Sequence, residues 1–317
     1  MPARRPPERP TQLAAAIEIS GSRVLVGTCS WTDRTLVNET DWYPRRSMTA
    51  AERLAYYASQ FPVVEADSTY YYPPTPEMSE SWVERHPTFP QSLWPDLQAQ
   101  VASEHRDKRS LYASHLPTDA IEEAWDRFRH ALMPLRSAGK LGAVLLQYPR
   151  WFTPKEANRE ELAAARRRLP DYDLCVEFRN GRWLADDEAD RTFEFLEAQN
   201  LAYVCVDEPQ GFDSSLPPVV AVTSDLAIVR FHGRNAETWT ADVPSASFRF
   251  RYRYQPAELE EWLPRIAEVA ASAKEVHVLM NNCYRDYAVD NATEIGRLLR
   301  GEPAREEQPE QQQLDIG

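Results

Sequence analysis

Hydrophobic residues in this chain recur in seven short runs rich in β-branched side chains, and polar stretches separate the runs. Such runs predict buried strands, because β-branched side chains pack well on a pleated surface. Helical patterns lie between most of the runs, with capping-box sequences at 49–52 and 119–122 as start signals. Strands that alternate with helices at this spacing predict parallel βαβ units. The seven runs are Val24–Thr28, Val63–Asp67, Ala143–Gln147, Leu174–Phe178, Ala202–Val206, Ala227–Phe231 and Val276–Met280.

The turns after the runs distinguish a closed barrel from an open, doubly wound sheet. No Gly-x-Gly-x-x-Gly or Walker sequence follows any run, and the chain has only 10 glycines. Nucleotide-binding doubly wound sheets carry such loops, so we predict an α/β fold of the TIM-barrel-like (β/α)8 type. The second and third runs start 80 residues apart, about twice the other spacings. This interval indicates a βα unit that is disguised or missing. An incomplete barrel that lacks one strand is therefore an alternative to the complete one.

The chain is long enough for two average domains, but a barrel fills its 317 residues equally well. We predict one barrel domain over residues 21–302. Residues 1–20 are rich in Pro and Arg, and residues 303–317 are rich in Glu and Gln. These compositions bury too little apolar area to offset the entropy of ordering, so both segments are predicted to be disordered tails.

Charge and cysteine content restrict the partners and the compartment. The formal net charge is −13 at pH 7, which disfavours binding to nucleic acids and to anionic membranes through the long-range field. No apolar run is long enough for a signal-peptide core or a membrane span. The four cysteines are far apart and include no Cys-x-x-Cys pair, which indicates neither a zinc knuckle nor a disulfide framework. We therefore predict a reduced, cytoplasmic protein.

Charged side chains occur near the ends of several runs, on the face that would line a barrel. Side chains two residues apart share one face of a strand, and barrel chemistry lies at the carboxyl ends of the strands. Glu65, Glu177 and Arg230 would form a deep layer of the interior. The other candidates are Asp67, Arg179 and His232 nearer the mouth, Asp207 on the inner face of its run, and Gln147, Asn281 and Asn282 around the rim. We expect Glu65, Glu177, Arg179, Arg230 and His232 to point into one cavity.

Three interpretations of these residues remain open at this stage. The charges could form a structural ion network, because buried charges persist only when they are paired. They could instead provide an acid, a base and Arg clamps for a substrate. A metal site is the third interpretation, since His232, Glu65, Glu177 and Asp207 are suitable ligand types, but no spaced ligand motif such as His-Glu-x-x-His is present. The identity of any metal or cofactor stays unknown from the sequence.

Three further features have a structural and a functional interpretation. Cys29 is a buried thiol or, with a base nearby, a nucleophile. Residues 247–254 alternate aromatic and basic side chains, as in a half-buried strand or in a groove for single-stranded nucleic acid. We favour the strand and expect no strong nucleic-acid binding. Trp31 belongs to an aromatic cluster that serves either packing or the stacking of a ligand.

Several motifs, in order, resemble the YecE-like proteins, which carry domain of unknown function 72. The resemblance spans roughly residues 24–300 and implies a TIM-barrel-like fold with a polar pocket at the strand ends, in a family whose activity is undefined. The motifs are Gly27-Thr-Cys-Ser-Trp31, Trp42-Tyr-Pro44, Leu54-Ala-Tyr-Tyr-Ala58, Phe61-Pro-Val-Val-Glu-Ala-Asp-Ser-Thr-Tyr-Tyr71, Leu145-Leu-Gln-Tyr-Pro149, Val176-Glu-Phe-Arg179, Trp183, Val229-Arg-Phe-His-Gly-Arg234, Asn281-Asn282 and Asn291-Ala292.

One segment departs from the family pattern. The family has a strand of the form Phe-x-Phe-x-x-Lys, then Thr and His, after the Trp that corresponds to Trp82. Here the residues that follow Trp82 lead directly into Pro90, so neither that Lys nor that His can be carried over. We therefore predict a gap or a weakly paired crossover between the strands at 63–67 and 143–147. Residues 94–103 have few β-branched side chains and are predicted to be helical or irregular.

These observations predict a barrel protein that binds a small polar or anionic ligand at the strand ends, with acid/base or metal-assisted chemistry of the hydrolase or isomerase type. The alternatives are a non-catalytic ligand-binding or scaffolding protein and, third, a nucleic-acid-related role. The oligomeric state is not indicated. Glu65, Glu177 and His232 are the catalytic candidates. The ligand-binding candidates are Trp31, Asp67, Gln147, Arg179, Asp207, Arg230, Arg234, Asn281 and Asn282.

Overall fold

The protein is described by a computed structural model that covers residues 12–66, 94–105, 115–243 and 246–305. Within these ranges eight strands form one sheet. They are β1 (Ile17–Ile19), β2 (Ser22–Thr28), β3 (Val63–Val64), β4 (Val144–Gln147), β5 (Leu174–Glu177), β6 (Ala202–Asp207), β7 (Leu226–Phe231) and β8 (Glu275–Met280).

Helices connect the strands and cover the sheet from outside. They are α1 (Arg34–Glu39), α2 (Ala50–Ala58), α3 (Pro95–Gln98), α4 (Thr118–Ser137), α5 (Glu156–Arg168), α6 (Glu188–Ala198), α7 (Ala246–Arg249), α8 (Pro256–Glu260), α9 (Leu263–Ala270) and α10 (Tyr287–Leu298). In the described part of the chain, no helix combines the length and the apolar character that crossing a bilayer requires.

Seven of the strands run parallel in the order β3-β2-β8-β7-β6-β5-β4. Strands β3 and β7 are three spacings apart in this order, about 14 Å in a flat sheet. Nevertheless, Glu65 next to β3 contacts Arg230 on β7, with 2.7 Å between carboxylate and guanidinium. The sheet therefore curls around a common interior, and the fold is TIM-barrel-like, as the sequence predicted.

All seven predicted strands are present, with boundaries that differ by at most a few residues. The capping box at 49–52 is also confirmed, because Thr49 and Glu52 exchange side-chain-to-backbone hydrogen bonds at the start of α2. The capping box predicted at 119–122 is wrong. Helix α4 begins earlier, at Thr118, directly after an extended Pro117, so Asp119 lies inside the first turn.

The prediction of a disordered tail over residues 1–20 is wrong for its last part. Ile17–Ile19 forms β1, which pairs antiparallel with β2, and the Ile17 side chain is buried. A two-residue turn joins the strands, and both of its residues, Ser20 and Gly21, have positive φ angles. This is the hairpin turn that matches the twist of paired strands. Residues 1–11 lie outside the described ranges.

The other predicted tail, residues 303–317, is described only as far as Arg305. The Arg305 backbone N–H donates to Glu294 Oε1 at 2.8 Å, and its guanidinium lies 3.2 Å from the same carboxylate. The start of this segment is therefore attached to α10.

The predicted gap in the barrel falls between β3 and β4. Within the described residues, no ladder pairs these two strands. Residues 94–103 contain the short helix α3 and turns, as predicted from their composition. The segment from which a family strand was predicted to be missing lies within residues 67–93, outside the described residues.

Residues 247–254 do not form the strand that the alternation of side chains predicted. They comprise the end of α7 and irregular backbone. The arginines bind within the chain: Arg249 donates to backbone carbonyls of residues 238, 239 and 241, and Arg253 pairs with Asp286 and Asp290. These contacts hold an irregular loop against α10, and alternation of side chains alone does not distinguish such a loop from a strand.

Strand β2 approaches β3 so closely that residue 27 must be glycine. A Cβ atom at this position would lie 1.9 Å from the Val63 carbonyl oxygen. That oxygen also accepts a hydrogen bond from Tyr57, whose hydroxyl accepts from the Thr28 N–H at 2.8 Å. The contact therefore connects β2, β3 and α2.

We expect Gly27→Ala to lower the free energy of unfolding by at least about 2 kcal/mol, because backbone atoms must move to admit the methyl group. Chemical denaturation measures the change. The control is Gly296→Ala in α10. Its new Cβ would lie 3.2 Å from a flexible Leu13 methyl group, and the substitution raises the helix propensity of α10. Equal stability of Gly27→Ala and the unmodified protein would contradict the expectation.

Candidate functional site

The register of the parallel strands decides which side chains face the barrel interior. Residues paired across neighbouring parallel strands share a face of the sheet. Gln147 pairs with Glu177, and Arg230 pairs with both Leu279 and Val206. The inner face therefore includes Glu177 and Arg230, as their positions in the sequence predicted.

Arg230 lies at the centre of the interior, with 3% of its side chain exposed. Its Nη2 donates to Glu65 Oε1 at 2.7 Å, and its Nη1 donates to Glu177 Oε2. Longer contacts reach Gln147 Oε1 at 3.4 Å and Cys29 Sγ at 3.6 Å. One guanidinium thus joins carboxylates from β5 and from the end of β3.

Arg179 extends the cluster towards the carboxyl ends of the strands. Its Nε lies 2.7 Å from Glu177 Oε1, and its Nη1 donates to Glu208 Oε2 at 2.9 Å. The guanidinium also lies over the Trp239 ring, 5.3 Å from the ring centroid, which is a favourable cation–π position. Three carboxylates and two guanidiniums therefore alternate in the order Glu65, Arg230, Glu177, Arg179, Glu208.

His232 completes the cluster at its upper side. Its Nε2 lies 3.3 Å from Glu177 Oε1, and its Nδ1 lies 2.7 Å from Asn281 Nδ2. The rings of Trp239 and Phe250 pack beside the imidazole. Burial and the nearby Arg179 lower the pKa of His232 to about 3, so the imidazole is neutral at physiological pH.

The carboxylates of the cluster differ in proton affinity. Burial raises the pKa of Glu177, but Arg179 and Arg230 outweigh burial and hold it well below the ordinary range. Burial raises the pKa of Glu65. It also raises the pKa of Glu208 to about 7, although Arg179 opposes the change. The cluster therefore combines one firmly ionised carboxylate with two that bind protons more readily.

Glu208 is the site residue that the sequence did not predict. It follows β6 on the inner face and is 2% exposed, and its Oε1 accepts from the Leu216 N–H at 2.7 Å. Both faces of β6 are apolar, so the sequence alone does not show which face points into the barrel. The register with β7 does, because Val206 pairs with Arg230.

The same register places Asp207 on the outer face of β6, so its predicted inner position is wrong. There it accepts hydrogen bonds from the Tyr254 hydroxyl at 2.6 Å and from Trp262 Nε1 at 2.7 Å. Arg234 binds Asp207 and also Glu258 and Glu261. Arg234 therefore connects β6 to α8 outside the barrel, away from the central cluster.

Asn282 also lies away from the cluster. Its Nδ2 donates to the Tyr252 carbonyl and to Asn291 Oδ1, both at 2.8 Å. Its neighbour Asn281 reaches His232 and remains at the site. Trp31 is 7% exposed, and its carbonyl oxygen accepts from the Tyr43 hydroxyl. The candidate Asp67 lies outside the described residues.

Cys29 is part of the cluster at its lower side. Its Sγ donates to Glu65 Oε2 at 3.3 Å, and burial raises the pKa of the thiol well above its ordinary value. The nucleophile interpretation requires a thiolate, which this environment disfavours. Cys29 is therefore a neutral donor that satisfies one oxygen of Glu65.

The metal interpretation named a donor set that the structure does not assemble, because Asp207 faces outward. No group of three or more His, Cys, Asp or Glu side chains suited to a metal ion occurs in residues 12–66, 94–105, 115–243 and 246–305. Arg230 and Arg179 occupy the space between the carboxylates. The donors Glu65 and Glu177 are thereby used in ion pairs.

The fold and the site define a class: a TIM-barrel-like protein with a buried carboxylate–guanidinium cluster near the carboxyl ends of its strands. Residues 25–313 match the family described as "Protein of unknown function DUF72". The chain belongs to this family, as its resemblance to the YecE-like proteins implied.

Individual relatives agree with this assignment. The UPF0759 protein YunF of Bacillus subtilis (strain 168) is 30% identical over 280 residues, which cover 87% of this chain and 94% of that protein. A crystal structure of a DUF72 family protein from Thermotoga maritima MSB8 superimposes with a TM-score of 0.68 at 27% identity, covering 87% of this chain and 99% of that one. A DUF72 family protein from Enterococcus faecalis V583 gives a TM-score of 0.69 at 24% identity, with 91% and 99% covered.

We expect Arg230→Met to lower the free energy of unfolding by about 3–5 kcal/mol at pH 7, because it leaves Glu65 and Glu177 buried without their shared partner. Chemical denaturation measures the loss. The control, Arg45→Met, removes a pair that is exposed on both sides, for which a change below about 1 kcal/mol is expected. A similar loss in the two variants would show that the central pair has no special weight.

The raised pKa of Glu208 makes stability depend on pH. Because folding raises this pKa from 4.5 to about 7, the protonated form favours the folded state. The contribution is complete below about pH 4.5 and is lost as pH rises through about 7, by about 3 kcal/mol in total.

Glu208→Gln removes this titration. The unmodified protein is expected to lose stability between about pH 4.5 and 7, and the variant is expected to lack this loss. The difference between their free energies of unfolding, measured by denaturation at several pH values, should therefore change over this interval. The difference curve isolates Glu208 from His232, whose lowered pKa acts in the opposite direction below about pH 6.5. A difference curve that is flat over this interval would contradict the raised pKa.

Proposed function

We propose that the protein binds a small polar ligand at the carboxyl ends of its strands and transfers a proton to or from it. The observation that carries the proposal is the buried cluster of Glu177, Arg179, Glu208 and His232, in which neighbouring groups have widely different proton affinities. Perturbed titratable groups collect at catalytic sites, and the carboxyl ends of the strands are where barrel enzymes act.

Glu208 is the proposed general acid or base. A group whose pKa is about 7 both gives and takes a proton readily at neutral pH, which is the condition for efficient acid/base catalysis. Glu177 stays ionised and positions Arg179. Asn281 binds Nδ1 of neutral His232, and Nε2 of the same ring, which has no hydrogen-bond partner among the described residues, would bind the ligand.

The ligand is proposed to be polar and without a strong negative charge. Both arginines already bind carboxylates at hydrogen-bond distance, so neither offers an unoccupied fork to an anion. An anionic ligand, which the sequence alone does not exclude, would have to displace one of these carboxylates. Hydroxyl, carbonyl and amide groups meet no such obstacle.

The alternative is that the cluster is a structural ion layer in a non-catalytic scaffold. The observation in its favour is that every charged member of the cluster has an oppositely charged partner. Buried ion pairs of this kind are retained in some proteins for specificity of folding. The two proposals differ in what Glu208→Gln changes: proton transfer in the first, stability alone in the second.

We also propose that the protein acts in the reducing cytoplasm. The four cysteines, all of which lie in the described ranges, are free thiols, as expected for a reducing compartment. That the protein does not bind nucleic acids strongly stays a prediction, which rests on the net charge of −13.

The proposal is tested by incubating the full-length protein with a small-molecule extract of cells in D2O. Mass spectrometry then identifies compounds that gain deuterium at carbon, and native mass spectrometry identifies compounds that the protein retains. We expect at least one compound to exchange with the unmodified protein and to exchange at least about 100-fold more slowly with Glu208→Gln, as expected for loss of a general acid or base.

Two variants complete the design. Glu258→Gln changes a carboxyl outside the barrel and should leave exchange unchanged. Arg179→Lys keeps one charge but loses the two-point contact with Glu177 and Glu208, so we expect slower exchange. If no compound exchanges and none is retained, the scaffold interpretation replaces the proposal.

A further inference from the structure

The barrel has a cavity at the end opposite the proposed active site. Its volume is about 260 Å³. Residues at the amino ends of the strands line its mouth, among them Arg23 on β2, Glu275 on β8 and Ala143 immediately before β4. TIM barrels normally fill this interior with layers of side chains, so a cavity here is a departure that calls for an occupant.

The walls of the cavity are apolar in part. The polar part includes His277 on β8, whose Nε2 lies 2.8 Å from Glu275 Oε1. Side chains of Leu25, Val63, Leu145, Ile228 and Leu279 line the apolar part, from five different strands. A ligand with a hydrocarbon body would bury its surface against them, which favours binding in proportion to the apolar area removed from water. Polar groups of a ligand that faced these five apolar side chains would be left unsatisfied.

The inner end of the cavity reaches the ion cluster from below. Glu65 and Arg230 line it there. Each oxygen of Glu65 accepts one hydrogen bond, from Arg230 at 2.7 Å and from Cys29 at 3.3 Å. An ionised carboxylate accepts about four such bonds, so Glu65 retains acceptor capacity for a donor in the cavity.

The charge of the cluster selects the kind of donor. Three carboxylates, of Glu65, Glu177 and Glu208, share two guanidiniums. With all of them ionised, one negative charge has no counterion within the cluster. A cation beside Glu65 would compensate that charge, and it would favour the ionised form of a carboxyl whose pKa burial raises.

We propose that this cavity is a second binding site, which takes a small organic ammonium ion with its alkyl body against the apolar side chains of Leu25, Ile228 and Leu279 and its ammonium group on Glu65. The site is distinct from the one at the carboxyl ends. Arg230 joins the two, since it binds Glu65 on one side and Glu177 on the other.

Charges at the mouth permit one competing arrangement. Arg23 and Lys140 line the mouth together with Glu275, and Arg23 pairs with Glu275 at 2.8 Å. A carboxylate ligand could place its charge there and its alkyl body inside. Solvent screens charges at the mouth more than charges at the buried end, so the buried Glu65 carboxylate, in a cluster with one more carboxylate than guanidiniums, has the greater weight.

Calorimetric titration of the full-length protein with n-butylammonium chloride, n-butanol and sodium butyrate, at constant ionic strength, tests the proposal. We expect n-butylammonium to bind at least about tenfold more tightly than n-butanol, because a hydrogen bond to a charged group contributes more than a neutral one. Equal affinity of these two, or tighter binding of butyrate, would overturn the proposal.

Two matched variants locate the site. Ala143→Phe fills the mouth of the cavity without changing a charge, and we expect it to weaken n-butylammonium binding at least tenfold. Ala185→Phe makes the same change at an exposed position outside the cavity and should leave binding as it is. An unaffected Ala143→Phe variant would contradict this location.

Glu65→Gln tests the ammonium partner. We expect it to abolish the preference for n-butylammonium over n-butanol while n-butanol still binds. An unchanged preference would refute the role of Glu65. If this variant does not fold, the comparison of the two ligands in the unmodified protein still tests the charge, and Ala143→Phe still tests the place.

Discussion

A guanidinium held between two carboxylates is the interaction on which the interior of this barrel depends. Arg230, Glu65 and Glu177 come from β7, the end of β3 and β5, which lie around the curled sheet rather than side by side. Buried charges are tolerated only when each has a partner. The three side chains therefore require the sheet to curl, and the curled sheet in turn brings them together.

The same interaction divides the interior into two ends. On the carboxyl side, Glu177 pairs with Arg179, and Arg179 pairs with Glu208. His232 lies beside Glu177. On the amino side, Glu65 and Arg230 close a cavity that is lined in part by apolar side chains. Because Arg230 contacts both Glu65 and Glu177, a change of charge at one end alters the electrostatic environment of the other. The cluster has three carboxylates and two guanidiniums, so a bound proton or cation would balance its remaining negative charge.

The sequence predicted which strands carry the site better than it predicted the partners of each side chain. β-Branched runs identified seven strands, and side-chain alternation placed Glu65, Glu177, Arg230 and His232 inside. It failed where both faces of a strand are apolar: the direction of β6, and hence the choice between Asp207 and Glu208, depends on register with β7. Likewise, β1 is too short for a periodic signal, and only the Ser20–Gly21 turn indicates its hairpin. Pairing partners such as Arg179 with Glu208 are tertiary and leave no local pattern.

The cluster is predicted to hold a carboxyl group, that of Glu208, which exchanges its proton near neutral pH. Carbon-13 NMR of protein labelled at the glutamate side-chain carboxyl carbons, with Glu208→Gln to assign the signal, measures this directly. The predicted result is a Glu208 signal that titrates with a pKa of about 7. A Glu208 signal that titrates near 4.5, like an ordinary exposed glutamate, would contradict the account.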